Sequence, residues 1–257
     1  MRGHVSEGDF DREHRDPEPA FCRGELLGAS GDCRGGRRVS GREQIELITN
    51  HLYTAVISDS LDSLGYRHQV MREYIRPVHS RYQVVAGFAH TIQFVDSDEV
   101  LENPFDAEIE AVDAIAADAM VVIATGLSVR NAPWGELLST AAVARGARGA
   151  VMDGFVRDVK LIEELGFPVF ATGMKPVDSN GRGKLTSWGQ PVLCGEVTVA
   201  PGDLVVADFD GVIAIPAGIL EPVLAKAREK VNGENQTRAE LRAGAYLRDV
   251  YAKYGVL

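Results

Sequence analysis

Apolar residues first recur at helical spacing at Ile45, Leu47, Ile48 and Leu52, then again at Val56, Ile57, Leu61 and Leu64. This period predicts helices over 41–50 and 54–64, the second closed by Gly65 in a C-terminal cap. Residues 82–94 change to a β-branched and aromatic run with Gly87 inside, which predicts a strand with a bulge. A loop is expected at 97–104. Phe105, Ile109, Val112, Ile115 and Ala116 then predict a helix over 105–118 with an acidic outer face.

From 120 to 172 the pattern alternates. Residues 120–125 are a short apolar run of the kind buried on both faces of a sheet. The loop from Gly126 to Trp134 leads to a helix at 136–145, stopped at Arg145-Gly146. A strand at 149–152 ends at Asp153-Gly154, and Arg157-Asp158 opens a helix that runs to Leu165 and is capped by Gly166. A strand follows at 168–172. Strand, helix, strand, helix, strand calls for parallel strands with right-handed crossovers, hence an α/β fold.

The remainder has another character. Strands are expected at 192–199 and 204–208, joined through Pro201-Gly202-Asp203. The turn Asp208-Phe209-Asp210-Gly211 makes a hairpin with 212–215, which Pro216 ends. A helix at 218–231, a break at Asn232-Gly233-Glu234-Asn235 and a polar helix at 237–252 complete the chain. No internal repeat is visible. Residues 1–40 mix both charges, are rich in Gly and Arg and sustain no period, so a disordered N-terminal extension is expected ahead of one domain over 41–257.

Composition narrows the function. Hydrophobic residues make up 45% and charged residues 25% of 257 residues, ordinary for a globular chain with a sizeable core. The net charge of -10 argues against sequence-independent nucleic-acid binding. The three cysteines, Cys22, Cys33 and Cys194, have neither CxxC spacing nor an even count, so no disulfide framework or zinc site is expected. No apolar run approaches the roughly 18 to 20 residues that span a membrane. The N-terminus lacks a signal-peptide apolar region, and a reducing cytoplasmic setting is expected.

Two segments carry candidate chemistry. Arg157 and Asp158 stand at a strand-to-helix turn, where functional residues collect in α/β folds. Arg157 offers a planar fork for a carboxylate, and Asp158 can point to a metal. Gly135, Glu136, Leu137 and Leu138 stand at a helix start, where the Leu137 and Leu138 amides can bind substrate oxygens and Glu136 can orient a water or act as a base. Each segment alone has an ordinary explanation, as a surface ion pair or a helix-dipole charge. Together, at successive strand–helix junctions, they suggest chemistry on a 2-oxo acid. Asp59 is expected to be a solvated helix carboxylate, and His90 a strand histidine with its hydrogen bonds satisfied. The polar loop 175–182 is either a specificity loop for the distal part of a substrate or a set of turn formers.

Residues 54–61 (Thr-Ala-Val-Ile-Ser-Asp-Ser-Leu), Gly135-Glu136-Leu137-Leu138, the run from Ala144 to Asp158 and the run from Pro201 to Val212 together resemble the RraA-like family. The resemblance covers about 41–231. It implies a three-layer β/β/α sandwich of the swivelling-domain type, assembled as trimers or hexamers with sites near subunit interfaces. It further implies a class II pyruvate aldolase that uses Mg²⁺ or Mn²⁺ on a small 2-oxo acid, with oxaloacetate decarboxylation alongside. Arg157 would hold the pyruvyl carboxylate, Asp158 the metal, the amides of Gly135 to Leu138 the oxo-acid oxygens, and Glu136 a proton-shuttling water. The sequence departs from many aldolase members at Leu161, where they carry a further acidic residue, and only Glu163 and Glu164 follow. The family also includes non-catalytic ribonuclease regulators, and a metal-dependent dehydratase would need the same parts.

Overall fold

The computed structural model describes residues 40–79 and 83–256, which belong to one compact unit. Of the extension expected at 1–40, residues 1–39 lie outside the described residues, as does Tyr82 of the first expected strand, while Ser40 caps α1. The elements in chain order are α1 (Gly41–His51), α2 (Thr54–Ser63), β1 (Arg76–Pro77), β2 (Val85–Asp96), α3 (Asp106–Asp113), β3 (Ala119–Ala124) and α4 (Glu136–Ala144). There follow β4 (Gly149–Met152), β5 (Phe155–Val156), α5 (Val159–Leu165), β6 (Val169–Ala171), β7 (Gly173–Met174) and β8 (Gly183–Trp188). The chain closes with β9 (Val192–Cys194), β10 (Val197–Val199), β11 (Leu204–Ala207), β12 (Val212–Ile215), α6 (Leu220–Arg242) and α7 (Leu247–Tyr254).

The parallel core is β2–β3–β4–β6, with β1 antiparallel on its outer edge. On the other side of β2, β11 and β12 run antiparallel, and β8 pairs the far end of β2. Alternate residues face opposite ways along each strand. Met120, Val122, Val151, Phe170 and Val205 pack under the β9–β10 hairpin residues Val192, Cys194, Val197 and Val199. Val121, Ile123, Ala150 and Met152 meet Ala142 of α4 and Ile162 of α5. Ala86, Leu204, Val206 and Ile213 meet α1, α2 and α6. The curled sheet is therefore a half-barrel with a hairpin on one face and helices on the other, the β/β/α layering that the resemblance implies.

Several local expectations need correction. Residues 192–199 are not one strand but a tight hairpin, because Gly195 and Glu196 both take positive φ (55° and 66°) and reverse the chain. The break at Asn232-Gly233 is absent: α6 runs through it, with Val231 and Thr237 buried and Val256 packed 3.1 Å from where a Gly233 side chain would begin. Packing there outweighs the roughly 1 kcal/mol helix cost of glycine. The register shift in β2 falls between Gln93 and Phe94, not at Gly87. Gly87 instead lets the backbone of residues 118–120 come close. Asp59 is an exposed helix carboxylate as expected, and it pairs with Lys230 of α6 at 2.6 Å. His90 is satisfied as expected, with Nε2 2.9 Å from the Ala111 carbonyl and its ring stacked on Trp188.

Candidate functional site

The N-terminus of α4 and the turn after β5 are built against each other. Trp134 and Val156 form an isolated parallel bridge, and the Arg157 amide donates to the Trp134 carbonyl at 3.0 Å. Trp134 is buried and donates through Nε1 to Ser139 Oγ at 2.8 Å, while Ser139 donates to the Gly135 carbonyl at 2.9 Å. That chain of bonds holds the first turn of α4 in place. Helix geometry leaves the Leu137 and Leu138 amides without intrahelical acceptors. A Cβ at Gly135 would lie 2.7 Å from Asp158 Oδ2 and 3.0 Å from Arg157 Cγ. Glycine is what allows this approach.

Asp158 sits in the left-handed region (φ 58°, ψ 30°) as the N-cap of α5, yet its side chain makes no cap hydrogen bond. A non-glycine residue held there is a small local strain. The twist turns its carboxylate back toward α4, with Oδ2 3.4 Å from the Glu136 amide and 3.7 Å from Arg157 Nε. Arg157 Nη1 reaches Asp178 Oδ1 at 3.1 Å. Asp153, at the end of β4, is buried and accepts from the Thr125 amide at 2.6 Å and the Thr125 hydroxyl at 3.0 Å. Burial raises the Asp153 pKa, and the Thr125 bonds oppose that rise.

The start of α4 and the Arg157-Asp158 turn line a cleft of about 170 Å³ together with Phe105, with Glu108 and Ile109 of α3, and with Asp178 and Ser179 of the loop after β7. Gly135, Leu137, Leu138, Arg157 and Asp158 all line it. The structure thus brings together five of the six residues singled out in the sequence. Glu136 is not among the lining residues, and its Oε1 accepts from Thr140 at 2.7 Å on its own helix. The polar loop at 175–182 contributes Asp178 and Ser179 to the wall.

The acidic outer face expected of this helix holds, but Glu108 is not on it: it is buried, 6% exposed, and accepts from Ser179 Oγ at 3.1 Å. Burial pushes its pKa up to about 7, with the Ser179 bond opposing, Asp178 adding to the rise and Arg157 opposing it. Of the apolar positions expected to face the core, Val112 and Ile115 are buried, whereas Phe105 and Ile109 are exposed. Residue 108 shares a helix stripe with the buried Ala111, Val112 and Ile115, whereas Asp106, Glu110 and Asp113 are exposed.

Among the described residues no group of three or more His, Cys, Asp or Glu is placed to hold a metal ion. A Mg²⁺ or Mn²⁺ ion would fit here only in a water-rich shell, and Asp158 would be the side chain to hold it; that side chain is 44% exposed and uncapped. Leu161 is exposed on α5, and neither it nor Glu163 or Glu164 lines the cleft.

The curled α/β sheet thus brings a helix N-terminus, a guanidinium and a carboxylate to one cleft. The chain belongs to the RraA-like family, whose model, described as Aldolase/RraA, matches residues 54–214, from α2 to β12. It is 35% identical over 190 residues to a Halalkalibacterium halodurans protein named "Putative 4-hydroxy-4-methyl-2-oxoglutarate aldolase", covering 73% of this chain and 84% of that one. It is similar to Streptomyces coelicolor RraAS2, described as an unusual member of the RNase ES inhibitor RraA protein family (TM-score 0.68, 26% identity, 79% of this chain and 99% of that one). An uncharacterised Pseudomonas syringae pv. tomato protein shares the fold, with TM-score 0.74 at 23% identity over 88% of this chain and all of the other.

Proposed function

We propose that this chain is a divalent-metal-dependent lyase that cleaves 4-hydroxy-2-oxo diacids to pyruvate and a second oxo acid. Oxaloacetate decarboxylation accompanies it, because loss of CO₂ leaves the same enolate. One observation carries the reading: Arg157, Asp158 and the open N-terminus of α4 converge on one cleft. A protein that only bound a partner would have no use for a carboxylate cradle beside a metal ligand.

The Arg157 fork takes the substrate's 1-carboxylate, which displaces Asp178 from Nη1. The Leu137 and Leu138 amides donate to the oxo-acid oxygens, favoured by the α4 dipole. Glu136, with one oxygen bound to Thr140, uses the other to hold a water at the start of α4. Asp158 would hold the cation, which when bound supplies a Lewis acid beside the 2-oxo group. The free, buried thiol of Cys194 suits a reducing cytosol.

The test is pyruvate release from oxaloacetate and from 4-hydroxy-4-methyl-2-oxoglutarate, with Mg²⁺ and with EDTA. Turnover that EDTA abolishes and Mg²⁺ restores is expected. No metal-dependent release from either substrate would sink the lyase reading, leaving a ribonuclease regulator or a dehydratase of another hydroxy acid.

A further inference from the structure

The cleft wall supplied by α3 brings in a carboxyl that the reading above leaves idle. Glu108 is 6% exposed, lines the cleft, and has one hydroxyl partner, Ser179. Among the described residues it forms no ion pair. A carboxylate so placed costs folding free energy that an apolar side chain of similar size would not. Its place is tied to the carboxylate cradle through one short path: Arg157 Nη1 to Asp178 at 3.1 Å, then Ser179, then Glu108 at 3.1 Å. Glu108 and Arg157 line the same cleft of about 170 Å³.

We infer that Glu108 is the proton-transfer residue for carbon–carbon bond cleavage, taking the proton of the substrate's 4-hydroxyl and returning it to the enolate carbon. This rests on the oxo-acid reading of the cleft. The Glu108 carboxylate accepts the hydroxyl proton, and the O–H electron pair becomes the new C=O bond. The C3–C4 bond breaks and its pair passes into the pyruvate enolate. Glu108, now a carboxylic acid, protonates the enolate carbon and returns to its starting state. Substrate atoms are conserved as pyruvate plus a second oxo acid, with no net proton change.

A general base works best with a pKa near the working pH, and burial brings Glu108 to about 7. Arg157, Asp158 and Asp178 face the same cleft. On the other elements packed against α3, Glu136 is bound to Thr140 and His90 to the Ala111 carbonyl. Arg145 is bound to Asp113 and Lys184 to Glu99.

Decarboxylation shares the protonation of the enolate but removes no hydroxyl proton, so the larger loss on the aldol substrate separates this role from a structural one. The experiment compares wild type, Glu108→Gln and Glu108→Asp on 4-hydroxy-4-methyl-2-oxoglutarate and on oxaloacetate, with oxalate binding in Mg²⁺ as the check on the site. Glu108→Gln is expected to lower kcat for aldol cleavage by at least about a hundredfold. Oxaloacetate decarboxylation should fall by less than about tenfold, and oxalate binding should persist. Glu108→Asp should recover part of the cleavage rate. The wild-type rise of kcat/KM through about pH 7 should vanish in Glu108→Gln. Cleavage by Glu108→Gln within about tenfold of an active wild type, or an equal fall on both substrates with oxalate binding lost, overturns the assignment. A wild type inert on both substrates overturns the lyase reading itself, and the role of Glu108 with it.

Discussion

Gly135 and Glu108 show how much one position decides in this cleft. The approach of Asp158 and Arg157 to Gly135 leaves no room for a methyl group. In Gly135→Ala the Asp158 carboxylate, the end of a movable side chain, must swing away. Calorimetry should show oxalate affinity reduced by at least about tenfold, while urea unfolding changes by only about 1 kcal/mol. Glu108 should leave a mark on stability as well. Its pKa rises from an ordinary 4.5 to about 7 on folding. Between those values the folded protein holds a proton that the unfolded chain has lost, so stability falls as pH rises through this window and then levels off. The loss is on the order of 3 kcal/mol, and it should appear as a difference between wild type and Glu108→Gln in urea titrations near pH 5 and pH 8. Arg157, Asp158 and the start of α4 were legible because each is a recognisable local device: a guanidinium, an adjacent carboxylate, a glycine before a helix. Glu108 was harder to see, because its neighbours Asp106 and Glu110 are solvated acids of the same helix.

Among the helices and strands, the alternation over 120–172 was readable because each parallel strand is a short apolar run with a helix behind it. Two elements escaped for opposite reasons. The β9–β10 hairpin turns at Gly195-Glu196, where a glutamate in a positive-φ conformation gives no familiar turn signal. Helix α6 continues where Asn-Gly advertises a stop, because α7 packs against it. Helix α2 also depends on a distant partner. Its N-cap, Tyr53, offers no capping bond, and Asp208 fills the gap by accepting from the Thr54 amide at 2.8 Å and the Thr54 hydroxyl at 2.7 Å. Asp208→Ala removes both buried bonds and orphans an amide. It should destabilise the protein by about 2–4 kcal/mol in urea unfolding, with the circular-dichroism spectrum of the folded state retained.

For the molecule entire, the surface beside the cleft carries a prediction. Leu137 is 78% exposed and Ile109 53%, with Phe105 also exposed. Apolar groups gathered near a site suit a neighbouring subunit. Light scattering should find a trimer or hexamer, and Leu137→Glu should shift it toward the monomer; a monomeric wild type would refute this. Among the described residues no helix is long and apolar enough to cross a membrane. The chain's own pattern was enough to set the parallel βαβ core, the two strand–helix junctions and the residues placed at them, because periodicity and turn chemistry act over a few neighbouring residues. Folding alone decided that the loop after β7 closes over α3, that Asp178 meets Arg157, and that an unremarkable helical glutamate becomes a buried acid. Those outcomes depend on solvent exclusion by segments roughly 70 residues apart, and desolvation is a property of the assembled packing that local sequence does not encode.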